Sequence, residues 1–423
     1  MGMTIAEKIL ARNAELDKVV PGQIVMAKVD RTRLSDHRVP EYAAAFKELG
    51  IKKVWDPDRI MVPIEHCAPA CNQLHADAQA EARQFCKEQG IKNFYEIGRN
   101  GICHTLYIEQ GYALPGDLVA ACDSHTCTYG ALNVAGRGLG VDDMVYLLAT
   151  GKSWFRVPET IKFQLEGKLP EWSSAKDIVL YIGGRFGEDV GLYKSIEYTG
   201  PGAHDLSVWG RVTICNMGID LGAKFSMFEC DDKTVDFLKD RARGEYRPVS
   251  ADPDAKYYEE HLIDLSKIGP QVTCPYSLRN TKPVEEVEGI HIDQCFIGSC
   301  NNGSIEDMRV AASILKGRRV AEGTRLIVIP GSWAVYRQCM EEGILTTFLD
   351  AGADIEGPTC GPCNGSSKGL LGPGERCIST TNRNNKGRQG NKESETYLSS
   401  PAVAAASAVA GCIADPRKIG KGF

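Results

Sequence analysis

Three cysteines stand in settings suited to chemistry. Cys360 and Cys363 share a Cys-x-x-Cys spacing in "GPTCGPCNG", and Cys300 closes the apolar run of "FIGSCNNGSIEDMR". A Gly-Ser-Cys-Asn-Asn-Gly turn offers backbone N–H groups around a thiolate. Its small residues let an inorganic or anionic group approach the main chain, and the helix it opens favours negative charge. Several readings compete. A thioredoxin-like dithiol needs a compact fold built around it, whereas Thr359 precedes Cys360 and the remaining chain is mostly loop plus one alanine-rich segment. Structural zinc wants a second close Cys or His pair, which neither Cys300 nor any histidine supplies at the usual spacing. Inert core thiols are the plain alternative, and the Gly- and Pro-rich settings of all three speak against it. Three thiolates from two loops sixty residues apart suit an iron–sulfur cluster. A cubane held by only three cysteines keeps one iron open to water or a hydroxyl-bearing substrate, as a Lewis acid.

Acid–base candidates gather in similar phrases. "VPIEHCAPACN" carries Glu65 and His66, "GICHTLYIEQG" carries His104, and "ACDSHTCTYGAL" carries Asp123, Ser124 and His125. A lone histidine is more often an ordinary polar residue, but three beside carboxylates and turns point to proton transfer. "CNMGIDLGAKF" adds Asn216 and Asp220 in a small-residue loop, and "STTNRNNKGRQGN" adds Asn382, Arg383 and Arg388. The last is either a solvated loop or a pair of bidentate forks for substrate carboxylates.

These residues need elements to position them. Segments of helical and strand period alternate along the chain, the pattern of α/β architecture with largely parallel sheets. "MTIAEKILARN", "EYAAAFKELG", "AKDIVLYIGGRFG", "IEDMRVAASILKG" and "AVYRQCMEEGILTTFLDAG" read as helices, and "QIVMAKVD", "DRIMVPIEH", "GIHIDQCFIGSC" and "TRLIVIPGS" as strands. "SSPAVAAASAVAGCI" reads as a helix capped by Ser400 with Pro401 at its first position. The candidate residues follow strands, where α/β folds place their sites. Turn-rich stretches suggest three regions, 1–155, 156–285 and 286–423, the second ending in peripheral elements and a linker.

With 423 residues the chain exceeds one ordinary core. A net charge of −6 without any basic block speaks against nucleic acid and anionic membranes, so small-molecule chemistry is expected. No long apolar segment marks a signal peptide or a membrane span, which places the expected protein in the cytoplasm. There, sixteen cysteines read as reduced thiols or metal ligands, most of them inert core residues such as Cys86, Cys215 and Cys339.

The phrases "DSHTCTYGAL", "CNMGIDLGAK", "FIGSCNNGSIEDMR", "GPTCGPCNG", "STTNRNNKGRQG" and "YLSSPAVAAASAVAG" occur in this order and span the chain. Together they resemble the aconitase superfamily, and most of all its archaeal-type 3-isopropylmalate dehydratase and homoaconitase large subunits. The resemblance implies three α/β/α domains around a central cleft holding a [4Fe-4S] cluster, with Cys300, Cys360 and Cys363 as ligands and one iron not held by cysteine. It implies that Glu65 and His66 protonate a leaving hydroxyl, that Asp123 orients His104, and that Asp220 orients His125. Arg383 and Arg388 would grip a carboxylate, Ser124 and Asn216 would line the site, and Asp36 is a further candidate.

It also implies a hydro-lyase or isomerase of a 2-hydroxy di- or tricarboxylic acid. The closest assignment is 3-isopropylmalate, in leucine biosynthesis, with homocitrate, citramalate and 2,3-dimethylmalate as alternatives. An iron-sensing, RNA-binding relative is the alternative from another class, against which the acidic balance stands. A separate small subunit, a swivelling domain of about 160 to 200 residues, is the expected partner. The chain departs from the family pattern at Glu65, where Asp is usual, and at Asp220, where Glu is usual. It also departs at Asn301, Asn385, Arg137 and Asp142, changes that bear on the substrate.

Overall fold

Short β-branched and aromatic runs become strands, and the amphipathic segments between them become helices, throughout residues 2–419, which the computed structural model describes. The first region builds a five-stranded parallel sheet in the order Phe94–Tyr95, Ile60–Pro63, Arg31–Arg33, Leu118–Ala121, Ala135–Gly138. Strands Ile60–Pro63 and Leu118–Ala121 are buried along their whole length, as parallel strands covered on both faces must be. Strand Ile24–Lys28 stands apart. It pairs antiparallel with Lys152–Arg156, and both alternate between exposed and buried residues with the period of two of a half-covered ribbon.

A four-stranded parallel sheet follows, ordered Phe225–Phe228, Ser195–Thr199, Thr160–Glu166, Glu259–Asp264. The third sheet has seven strands, ordered Thr281–Pro283, Gln271–Thr273, Glu395–Ser399, Arg376–Ser379, Gln294–Gly298, Arg325–Ile329, Asp354–Ile355. Only its first two strands run antiparallel to their neighbours. The chain enters this sheet at strand Gln271–Thr273. A buried carboxylate pins that entry: Asp177 Oδ1 accepts from the Gln271 N–H at 2.7 Å.

Helix ends follow local chemistry. Thr4 and Glu7 form a capping box for Ile5–Asn13, Ser304 and Asp307 form one for Ile305–Leu315, and Gly50 closes Val39–Leu49 in the left-handed region. The stretch expected to be one helix over "AVYRQCMEEGILTTFLDAG" is two, Trp333–Glu341 and Ile344–Ala351. Gly343 between them has φ 71°, which no α-helix accommodates. Helix Pro401–Ala410 begins at Ser400 as expected, but Ser400 makes no capping bond and its hydroxyl is buried without a partner. Its alanines are buried against strand Gln294–Gly298 and helix Ile305–Leu315, close approaches that small side chains permit.

One buried cluster runs from Met61, Tyr107 and Tyr129 to Phe163, Ile196 and Val212, so the first two sheets share a core. The third has its own, centred on Ile297, Met308, Val328 and Val403. No described helix is long and apolar enough to cross a membrane.

Candidate active site

Three adjacent strands of the first sheet end in residues singled out from the sequence. Arg31–Arg33 leads into Ser35 and Asp36, Ile60–Pro63 into Glu65 and His66, and Leu118–Ala121 into Asp123, Ser124 and His125. Because Arg31–Arg33 pairs in parallel with both others, the three loops emerge side by side. His66 Nδ1 lies 3.2 Å from Glu65 Oε1 and 3.9 Å from Asp36 Oδ1. His104, in the short helix Cys103–Glu109, has its Nε2 3.2 Å from Asp123 Oδ1. His125 Nε2 lies 3.3 Å from Asp220 Oδ2, while Asp220 Oδ1 accepts from Arg383 Nε. Each of the three histidines thus faces a carboxylate. Ser124 Oγ sits 3.2 Å from His125 Nδ1.

Burial and charge set the proton distribution. Burial alone would neutralise His66, but Glu65 and Asp36 hold its proton and lift its pKa to about 9. Burial opposes the charge on Glu65 as well, and His66 and Arg33 overcome it, holding the carboxyl well below its ordinary range. Asp123 is held down in the same way by His104 and Arg33. His104 moves in the opposite direction: burial, helped by Arg33 and His125, lowers its pKa despite Asp123. The site therefore contains one histidine that keeps its proton and one that gives it up readily.

The thiols come from the third sheet. Strand Gln294–Gly298 ends at Gly298 with φ 144°, where an added Cβ would lie 2.3 Å from the Ile329 carbonyl oxygen, and the chain turns through Ser299 into Cys300. Cys360 opens the turn Gly361–Asn364, which contains Cys363. Asn382, just beyond strand Arg376–Ser379, places its side-chain amide between the two loops, with Nδ2 3.6 Å from Cys300 Sγ and Oδ1 3.7 Å from Cys363 Sγ. Asn216 Nδ2 lies 3.3 Å from the Cys300 sulfur, and Arg388 Nε donates to the Cys363 carbonyl at 2.8 Å. Thr359 Oγ1 lies 3.2 Å from the carbonyl oxygens of Glu65 and His66, which locks the Cys360 loop to the acid–base half.

A polynuclear metal group fits this trio better than a single ion. The three sulfurs are not among the described ligand sets that lie within 4.8 Å of one another, whereas tetrahedral zinc with Zn–S bonds of about 2.3 Å draws its sulfurs to about 3.8 Å apart. Burial raises all three thiols. Cys363 adds to the rise at Cys300, and Glu65, Cys363 and Cys300 add to it at Cys360, while Arg388 only partly offsets burial at Cys363. Thiols that resist ionisation as a set need a highly charged cation to become thiolates.

Two residues that sequence reasoning passed over are buried cations that frame the site. Arg33, fully buried, places Nη1 2.7 Å from Ser35 Oγ and 3.1 Å from Glu65 Oε1, and Nη2 2.9 Å from Asp123 Oδ2. Glu65 Oε2 in turn accepts from the Cys103 N–H at 2.9 Å. Lys176, also fully buried, donates to Asn301 Oδ1 at 2.6 Å and to the carbonyls of Thr380 and Thr381 at 3.0 and 2.7 Å. In "RTR" and "SAKD" both look like surface charges, and only tertiary pairing reveals them. Cys67 and Cys71, beside His66, are joined by a disulfide, unlike the reduced state expected for the cysteines generally; a four-residue spacing brings their Cα atoms to 5.8 Å.

The model of the aconitase family (aconitate hydratase) matches residues 7–287 and 276–411. The chain belongs to the aconitase family. It is 49% identical over 421 residues to a 3-isopropylmalate dehydratase large subunit of Moorella thermoacetica, covering 100% of both chains. It is 48% identical to a 3-isopropylmalate dehydratase large subunit 1 of Pyrococcus furiosus, covering 99% of this chain and 100% of that one. Among solved structures, holo aconitase X of Thermococcus kodakaraensis superposes with a TM-score of 0.52 at 13% identity, over 89% of this chain and 88% of that one, a likeness of fold. Membership in the aconitase family makes the chain an iron–sulfur hydro-lyase, and a [4Fe-4S] cluster belongs to that chemistry.

Proposed function

We propose that this chain is the cluster-binding large subunit of a 3-isopropylmalate dehydratase, acting in the cytoplasm with a small swivelling-domain subunit. The observation that carries this reading is the convergence of three thiols, Cys363 buried and Cys300 and Cys360 partly so, on three histidine–carboxylate pairs. Near-identical length and about half identity to proteins named 3-isopropylmalate dehydratase large subunit support the substrate, and the words "large subunit" support the partner. Cys300, Cys360 and Cys363 would hold a [4Fe-4S] cluster. When bound, it supplies an iron free of cysteine, a Lewis acid toward a substrate hydroxyl.

The remaining steps fall to side chains. His66, with Nδ1 facing Glu65 and Asp36, stays doubly protonated at neutral pH and offers its Nε2 proton to the departing oxygen. Arg383, fixed by Asp220, and Arg388 present guanidinium groups to the substrate carboxylates. Asp123 and Asp220 hold His104 and His125 by Nε2, with Ser124 and Asn216 beside them. The proton on the neighbouring carbon goes to a base supplied by the partner.

The test is anaerobic reconstitution with the small subunit, followed by ultraviolet absorbance of the enoate formed from 3-isopropylmalate. Homocitrate, citramalate and 2,3-dimethylmalate serve as competing substrates. The expected result is a kcat/KM highest for 3-isopropylmalate. Preference for another acid would reassign the substrate, and silence toward all four with an intact cluster would remove the reading.

A further inference from the structure

Lys176 is a buried cation without an anion. Its side chain comes from the first turn of helix Ala175–Phe186, is fully excluded from solvent, and places all three ammonium protons on neutral oxygens. No described carboxylate forms an ion pair with it. A lysine so placed is costly unless something nearby carries negative charge. The groups it binds show where that charge would be. Asn301 follows Cys300, and Thr380 and Thr381 precede Asn382, whose amide lies between the Cys300 and Cys363 sulfurs. The lysine thus ties together the two backbone segments that frame the thiols.

Three thiolates around an oxidised cubane of charge two-plus leave one net negative charge, and a single ammonium neutralises it. Burial depresses the Lys176 pKa to about 7, and only the negative charges of Asp220 and of the Cys300 and Cys363 thiolates work against it.

We propose that Lys176 is the resident counter-charge of the cluster, stabilising its anionic thiolate mount and setting its reduction potential through space. The proposal rests on the reading that Cys300, Cys360 and Cys363 hold a cluster. It adds a residue that touches neither iron nor substrate and acts through charge.

The experiment compares the wild type with Lys176→Gln, which keeps two donors but loses the charge, and Lys176→Arg, which keeps the charge. Each is reconstituted anaerobically, then measured by spectroelectrochemical titration and by the rate of cluster loss to a chelator, with circular dichroism reporting the fold. The expected result for K176Q is a midpoint moved to more negative potential by about 59 mV, a tenfold change in the oxidised-to-reduced ratio for one electron. Its cluster should also be lost several-fold faster, while K176R stays near the wild type. A folded K176Q with wild-type potential and wild-type lability would overturn the proposal. Should K176Q fail to fold, K176R decides, since a negative shift despite the retained charge also overturns it. A wild type that takes up no cluster refutes the underlying site reading instead, so the two failures are distinct.

Discussion

At the scale of single residues the site is organised by buried charge. Arg33 is a cation shared by Glu65 and Asp123, and so links the His66 and His104 pairs. Replacing it by Met leaves the fully buried Glu65 and the partly exposed Asp123 short of a partner, and breaking a buried pair typically costs about 3–5 kcal/mol. The expected outcome for Arg33→Met is a lower melting temperature of the cluster-free protein and a kcat reduced about 100-fold with KM little changed, since Arg33 is fully buried behind the carboxylates it pairs with. Arg33→Lys, which keeps charge but cannot fork, should recover part of both. His66 gives a pH signature. Its pKa rises from 6.5 to about 9 on folding, so the stability it contributes is complete below about pH 6.5 and is lost as pH rises through about 9. As the proposed proton donor it should also set the alkaline limb of kcat/KM near pH 9, and His66→Gln should remove that limb along with about 10²- to 10⁴-fold of the rate. The histidines, carboxylates and thiols were legible because their types advertise chemistry. Arg33 and Lys176 were not, because a charge inside a strand or at a helix start looks solvated until the fold buries it.

Among the elements, strand ends do the positioning. Cys300 depends on the turn at Gly298, where both the φ of 144° and the 2.3 Å gap to the Ile329 carbonyl exclude a side chain. Gly298→Ala must therefore push strand Gln294–Gly298 from Arg325–Ile329. The expected result is a protein that keeps its far-ultraviolet dichroism but melts several degrees lower and binds less than half the wild-type iron, as iron analysis after reconstitution would read. Alternating periods and glycine stops disclosed most strands and helices, together with the placement of candidate residues after strands. What escaped was set by tertiary pairing. The helix pattern over residues 333–351 is continuous in apolar period, yet Gly343 breaks it. Strands Gln271–Thr273 and Thr281–Pro283 are too short and polar to announce themselves, and they exist because strand Glu395–Ser399 offers an edge to pair with.

For the molecule as a whole, the two halves of the site come from different sheets, and specific contacts join them to each other and to the second region. Thr359 reaches the Glu65 and His66 carbonyls, Arg383 reaches Asp220, and Lys176 reaches Asn301. The site is not fully enclosed by this chain, for the Arg383 side chain remains 25% exposed and that of Asp123 15%. Dehydration chemistry gains from excluding bulk water, because charge–charge terms strengthen as the local dielectric falls. A partner seated over the open side would supply that exclusion as well as the carbon base. Two outcomes follow. The reconstituted chain alone should hold iron and show the cluster absorbance without turning over 3-isopropylmalate, and adding the small subunit should restore turnover in proportion to complex formed. Chelator should strip the cluster several-fold more slowly from the complex with substrate present than from the chain alone, measured as loss of visible absorbance. Equal rates in the two states would mean that the partner contributes its base without closing the site.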